Sequence, residues 1–538
     1  MLRSLQAWLV VLAALAVCCG SDDLVAPNAP VAPQTATVTL DFVLARNVPS
    51  NVTEFEFVGT DTRGLEVFRE RRPKAARIVL TVPVSLKNLT ILFLADGVQV
   101  GAAVVAVDLV PGQNLLIEDP DRGTPTYQVL KQDILINADM WELQPRMIAA
   151  GLGFTDIIGV SGLDETRPEM SERLVRAAGG TWNLLTGATP NLRAYTSAIT
   201  PQQVATTYGW PVLGCGGLPV EFSWPLRPST LDATDFLITL NDGSSVIPEV
   251  TSISPNFDFN ERAVAVLFGK FGNRFGPDDP RARFPVRIEV VGDGTPLQLV
   301  GPGGQFVSAV GMGADAPGTP YTDPDVPPEQ RGGPRLVGAK LTRMSARGDQ
   351  SPTLFAQASP NDGVTLYGDQ AQYRLRLYTS GGFSPDGVRS MYPTEYQRYF
   401  RVQATTASGA TVLLTEAGVD YLVDGARVRV VGLAELGQPM AVYDDTYVED
   451  HDNQIDIVLA GDEAAMRKIT RVEVPSVAPY SPLYNPGGPG NKPTPGVRYS
   501  APSRPHTQVV LQALDDPLTV DLIPPGFESA RTGQRAGL

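Results

Sequence analysis

Apolar and polar residues alternate from Ala36 to Ile117. Val38, Leu40, Phe42 and Leu44 fall on one side of an extended chain while Thr37, Thr39 and Asp41 fall on the other, the period of a half-buried strand. The same period returns from Thr53 to Phe57, Ile78 to Val84, Leu89 to Leu94 and Val98 to Val107. Asp96-Gly97 joins the last two, because Asp and Gly accept the positive φ angles of a two-residue hairpin turn. Six or seven short strands over 36–118 predict a β-sandwich of immunoglobulin-like or transthyretin-like build.

The rhythm changes over 119–210. Thr166-Arg167-Pro168-Glu169 reads as a helix start with a capping box, Met170, Leu174 and Ala177 share one helical face, and Gly179-Gly180 is a stop. This spacing predicts a helix near 167–178. A second helix is expected from Ile134 to Ala150, interrupted by Pro145, so the region reads as a small mixed α/β or helical insert. Strands resume over 211–310, where Phe236 to Leu240 turns at Asp242-Gly243 into Ser245 to Ile247, followed by Ala263 to Phe268 and Val286 to Val291. They predict a second sandwich. Five Gly and six Pro among the residues of 311–335 predict a linker. A third β domain is expected over 336–475. In it Tyr373, Leu375 and Leu377 alternate with Arg374 and Arg376, and hairpins run from Phe400 to Thr415 and from Tyr421 to Val431. The tail, 476–538, is rich in Pro and Gly, with a last strand between Val509 and Leu522 expected to return to the third domain. The fold class is therefore mainly β, tandem sandwiches with one small insert. The absence of a clean internal repeat argues against a propeller or solenoid.

Composition agrees. Hydrophobic residues are 43% and charged residues 19% of the 538, too apolar for a chain disordered throughout, and 52 Gly with 47 Pro favour turns over helices. Lys and Arg number 43 against 58 Asp and Glu, a net charge of −15 that repels phosphate backbones and excludes nucleic acid as the main partner. Two His and three Cys exclude zinc fingers, iron-sulfur clusters and a disulfide framework.

The first twenty residues have a different character. Arg3 precedes an apolar run from Leu5 to Val17, about thirteen residues and too short to span a bilayer, and then come Cys18 and Cys19. The segment Leu15-Ala16-Val17-Cys18-Cys19 resembles the lipobox of bacterial lipoproteins, with Val17 or Cys18 where the family prefers Gly, Ala or Ser. The resemblance implies a signal peptide over 1–19, a diacylated Cys18 or Cys19 as the new N-terminus, and a membrane as partner through the lipid anchor. Residues 20–35 then form a tether. The alternative is cleavage after Ala16 and a free secreted protein.

Candidate chemistry is sparse. The densest acidic run carries Asp444, Asp445, Glu449, Asp450, Asp452 and Asp456, and calcium takes six to eight oxygen ligands, often from one such loop. It is not an EF-hand, since the turn glycine is missing and Gly461 stands where the closing Glu belongs. The bland alternative is a solvated acidic loop. Cys215, flanked by Gly214 and Gly216, could act as a nucleophile only with His451 or His506 beside it, and a buried structural thiol is the simpler reading. Tyr480, Tyr484 and Tyr499 could stack on sugars or cover their own domain, and Arg347-Gly348-Asp349 is assigned no role. No Gly-x-Ser-x-Gly elbow, phosphate loop or His-Glu-x-x-His motif occurs. The expectation is an exported cell-envelope lipoprotein that binds a polysaccharide, a partner protein or an envelope layer. The alternative is a secreted carboxylate-dependent hydrolase with accessory modules.

Overall fold

The structure is a computed structural model. It describes residues 34–523 apart from 43–47, 49–51, 63–64, 119–129, 152–153, 165–166, 186–195, 202, 205–211, 276–277, 317–325, 345–362, 438, 448–451 and 496–498. The signal segment with Cys18 and Cys19 therefore lies outside the described residues, as do Glu449, Asp450, His451 and the Arg347-Gly348-Asp349 tripeptide.

The first body holds β1 (Thr35–Asp41), β2 (Glu54–Thr60), β3 (Glu66–Pro73), β4 (Arg77–Pro83), β5 (Asn88–Ala95), β6 (Val98–Ala106) and β7 (Asn114–Glu118). They form two sheets, ordered β4-β1-β7 and β3-β2-β5-β6, with β1 parallel to β7. An immunoglobulin domain would pair the first strand with the second and the fifth with the fourth, so this sandwich departs from the immunoglobulin strand order. Alternation places Val38, Leu40, Phe55, Phe57, Leu80, Val82, Ile91 and Phe93 between the sheets. The hairpin turn predicted between β5 and β6 is present, with Asp96 and Gly97 both at positive φ. The sequence pattern did not reveal β3, because its solvent face is charged: Arg69 and Arg71 pair with Glu54, Glu56 and Glu66.

The second body contains β8 (Leu135–Asp139), β9 (Met147–Ala150), β10 (Phe154–Ile158), α1 (Pro168–Ala177), β11 (Cys215–Phe222), β12 (Phe236–Leu240) and β13 (Ser245–Val246). It continues with β14 (Val250–Ser252), β15 (Val264–Gly269), β16 (Pro285–Val290), β17 (Gln298–Val300), β18 (Phe306–Ser308) and β19 (Gly313–Asp315). One sheet runs β10-β11-β15-β14 with β9 also on β11, and it faces a second, β13-β12-β16-β19. Helix α1 forms where the spacing predicts it, although Arg167 makes no side-chain cap and Thr166 lies outside the described residues. The helix expected from Ile134 to Ala150 does not form. The stretch gives β8 and β9 instead, with Asn137 at positive φ within β8. Two of the insert's strands, β9 and β10, thus belong to one sheet of the sandwich, and β19 from the expected linker belongs to the other, where it pairs with β16.

The third body holds β20 (Leu336–Arg343), α2 (Gly363–Tyr367), β21 (Tyr373–Thr379), α3 (Tyr396–Tyr399), β22 (Arg401–Thr405), β23 (Thr411–Leu414) and β24 (Asp420–Val423). Then come β25 (Ala426–Ala434), β26 (Gln454–Gly461), α4 (Glu463–Met466), β27 (Ile469–Val474), β28 (His506–Val509), β29 (Leu511–Gln512) and β30 (Thr519–Leu522). A six-stranded sheet, β24-β25-β26-β21-β20-β29, packs on a four-stranded one, β23-β22-β27-β28. Both predicted hairpins are present: β22 pairs with β23 and β24 with β25, with Gly409, Asp424 and Gly425 at positive φ in their turns. The tail divides. β28 and β29 join the third body as expected, whereas β30 crosses back to pair with β8 of the second.

Candidate site at the join of the second and third bodies

Strand β21 is central in its sheet and reads YRLRLYT. Leu375 and Leu377 enter the third body's core, so Arg374, Arg376 and Tyr378 must emerge on the opposite face. Neighbouring strands add Lys340 beside Arg376 on one side and Asp456 on the other. A polar sheet face ordinarily meets water. This one meets the second body: Trp141 stacks on Tyr378 at 4.5 Å, the Tyr378 hydroxyl donates to the Ala263 carbonyl at 2.8 Å, and Lys340 and Arg376 are fully buried.

Arg376 is the hub. Its Nε and Nη2 donate to the two oxygens of Asp456 at 2.8 and 3.0 Å, its Nη1 reaches Asp139 at 3.2 Å and Glu261 at 3.3 Å, and Nη2 also lies 3.2 Å from Glu435. Asp139, on β8, in turn gathers Lys340, Arg374 and Arg376. Burial penalises all these charges, and the partners decide which survive. Burial pushes the Asp139 carboxyl up, but Arg374, Lys340 and Arg376 together hold it well below the usual range. Burial lowers Lys340 to about 8 despite Asp139. Glu261 and Glu435 go the other way, since their burial outweighs the pull of Arg376.

A cleft lies beside this network. It encloses about 430 Å³ counted to its open mouth and is floored by Phe154, Ile158, Pro219, Val264, Val266 and Phe268 of the second body. Pro255 and Asn256 form one wall, while Gly382, Asp452 and Asn453 of the third body form the other. On the floor strand, two residues beyond Pro219, Glu221 is completely buried. Desolvation drives its carboxyl well up, against Arg335 and the Gly381 N–H.

The acidic run is split by this architecture. Asp456 is buried on β26 and committed to Arg376, and Asp452 is buried at the cleft, where its Oδ1 accepts the Gln454 N–H at 2.7 Å. Asp444 caps its own turn, its Oδ1 accepting the Thr446 N–H and hydroxyl at 2.9 and 2.5 Å, and Asp445 sits next to it. A different trio converges where the sequence carried no local signal. Asp232, Asp235 and Asp293 place carboxylate oxygens within 4.8 Å of one another, at a capping box that starts a short 3-10 turn. Thr234 and Thr295 hydroxyls and the N–H groups of Asp232 and Leu297 bind them. Burial and then the Asp232 charge push Asp235 up to about 9.

Cys215 is fully buried against Glu249, and burial followed by that carboxylate raises its thiol well above the usual value, the reverse of what a nucleophile needs. His506 belongs to another body, where its Nε2 accepts the Leu336 N–H at 2.8 Å. Two of the tail tyrosines serve local packing: Tyr484 is bridged between Ser384 and Pro502, and the Tyr499 hydroxyl accepts the Thr494 N–H.

No family model matches the chain, and no curated relative matches it. Among solved structures, a tetra-tandem repeat from the extending region of a large adhesion protein is similar over 89% of this chain and 99% of its own. The identity is 10% and the TM-score 0.09, a value that carries no argument about fold or function.

Proposed function

We propose that this chain is an exported, lipid-anchored protein of the bacterial cell envelope that binds or holds rather than catalyses. Its ligand would be a polysaccharide, a partner protein or another envelope layer. The observation that carries the reading is the join around Arg376. Burying so many charges between two sandwiches gains little net stability, but their fixed hydrogen bonds hold the two bodies in one orientation. A fixed orientation suits a spacer or a binding scaffold. The lipobox-like segment before the tether supports attachment at Cys18 or Cys19, and two acyl chains would make it stable. The hydrolase alternative needs an accessible pair of carboxylates with separated protonation states. In the cluster of Asp232, Asp235 and Asp293, the raised carboxyl of Asp235 is sealed from solvent.

The test is expression of the full chain in a bacterial host, with mass spectrometry of the mature N-terminal peptide. A diacylglyceryl cysteine at position 18 or 19 and release from membranes on replacing both cysteines by alanine are expected. An unmodified N-terminus following Ala16 would refute the anchor and leave the secreted form.

A further inference from the structure

The join gathers more carboxyl groups than cations. Asp139, Asp258, Glu261, Glu435, Asp452 and Asp456 are all buried there, against Arg262, Lys340, Arg374 and Arg376. Burial pushes the Glu261 and Glu435 carboxyls up, so each needs a proton or a cation to remain in place. One corner brings two of the carboxyl groups together. The Glu261 and Asp452 carboxyl groups, 2% and 8% exposed, are in hydrogen-bonding contact with each other. Two carboxylates can share such a contact only around a proton or a cation.

Asp452 lines the cleft together with Asn256 and Asn453, which are 1% and 3% exposed. The amide nitrogens of both asparagines are used: Asn256 donates to the Ile253 carbonyl at 3.4 Å and Asn453 to the Thr379 carbonyl at 2.9 Å. Those bonds fix which end of each amide faces elsewhere, and the Oδ1 atoms of both find no donor. A buried acceptor without a donor is costly, so two at one cleft beside a carboxyl pair call for a ligand.

We propose that a divalent cation of the calcium type binds at this corner, held by the Glu261 and Asp452 carboxylates and the Oδ1 atoms of Asn256 and Asn453. All four donors are oxygens, as a hard cation requires, and the cleft has room for water to complete the shell. Their mixed, irregular character suits calcium better than magnesium, which demands near-octahedral geometry. Asn256 and Glu261 come from the second body, Asp452 and Asn453 from the third, so the ion would bridge the two. The inference does not rest on the lipid anchor, and the ion it places is distinct from one held by Asp444, Glu449 and Asp450 of the same acidic run.

The full chain is stripped with EDTA, and calcium binding is then measured by equilibrium dialysis alongside the melting temperature. One calcium equivalent should be lost in Asn256→Leu and in Asp452→Asn but retained in Asp450→Asn and in Asp293→Asn. At a hundredfold excess over Kd the ion should raise the melting of the joined second and third bodies by about 3 °C. A folded Asn256→Leu variant that keeps the full wild-type stoichiometry overturns the site, and it remains informative should Asp452→Asn fail to fold. Loss of the equivalent in Asp450→Asn or Asp293→Asn alone moves the ion elsewhere and overturns it too. Absence of calcium binding to the folded wild-type chain overturns the site as well, leaving a proton shared between Glu261 and Asp452.

Discussion

Asp235 shows how burial converts an acid into a hydrogen-bonded neutral group. Asp232 and Asp293 face it, and Lys131 is the nearby cation that partly offsets them. Its folded value of about 9 stands far above the roughly 3.9 of an unfolded aspartate, so between these limits the folded chain holds a proton that the unfolded chain has lost. The associated stability is fully present below about pH 4 and is lost as pH rises toward 9, by up to about 1.4 kcal/mol per unit. Asp235→Asn removes this proton linkage but keeps only one of the two acceptor bonds to the N–H groups of Asp232 and Leu297. The variant should be less stable than the parent by about 1 kcal/mol at pH 5 and more stable at pH 8. Urea unfolding of both chains at the two pH values measures the difference and cancels the parallel contributions of Glu221, Glu249 and Glu435. A difference that does not change sign or size with pH would refute the buried-proton account.

At the scale of elements, the close approach of β20 to Trp141 is the most exacting contact. A Cβ at Gly338 would stand 2.8 Å from the Trp141 ring and 3.2 Å from the Tyr378 Cβ, inside the stacked pair that seats the second body on the sheet. Gly338→Ala should therefore cost about 1–3 kcal/mol and alter Trp fluorescence, whereas Gly409→Ala, in an open hairpin turn, should cost stability through its positive φ alone and leave the fluorescence unchanged. The contrast also marks what the sequence could disclose. The turns at Asp96-Gly97, Ser408-Gly409 and Asp424-Gly425 are legible because their chemistry lies within two residues. Alternation over β21 is equally legible, and it separates Leu375 from Arg376 correctly. It cannot say that the arginine face meets protein instead of water, since that depends on Asp139 and Glu261, more than a hundred residues away. The segment from Ile134 to Ala150 misleads for the same reason: its ladder partner, β30, lies near the other end of the described chain. Of the acidic run, only its richness in carboxylates was readable; the division of Asp456 to Arg376 and Asp452 to the cleft comes from the tertiary fold.

The whole molecule should unfold as two cooperative units rather than three. The first body has its own core, in which, among the described residues, none of the later bodies takes part. The second and third share theirs: Tyr378 of β21 and Val520 of β30 are packed within the second body's core. The tail tightens this union, because the Gly488 and Lys492 carbonyls accept hydrogen bonds from Thr181 and Arg176 beside α1 while Tyr484 pairs with Ser384 of the third body. Separating the two bodies would expose Arg376 and its four carboxylates together with the Trp141–Tyr378 stack, so neither body can melt first without breaking the join. Calorimetry of the full chain should resolve a smaller transition for the first body and a single larger one for the other two. Arg376→Met leaves Asp139, Glu261, Glu435 and Asp456 without their shared cation, a loss of about 3–5 kcal/mol for a buried ionic partner. That substitution should lower the larger transition by several degrees or split it, and leave the smaller one in place. Separate melting of the second and third bodies in the unaltered chain would show that the charges do not hold them together, and with that the case for a rigid scaffold would fall.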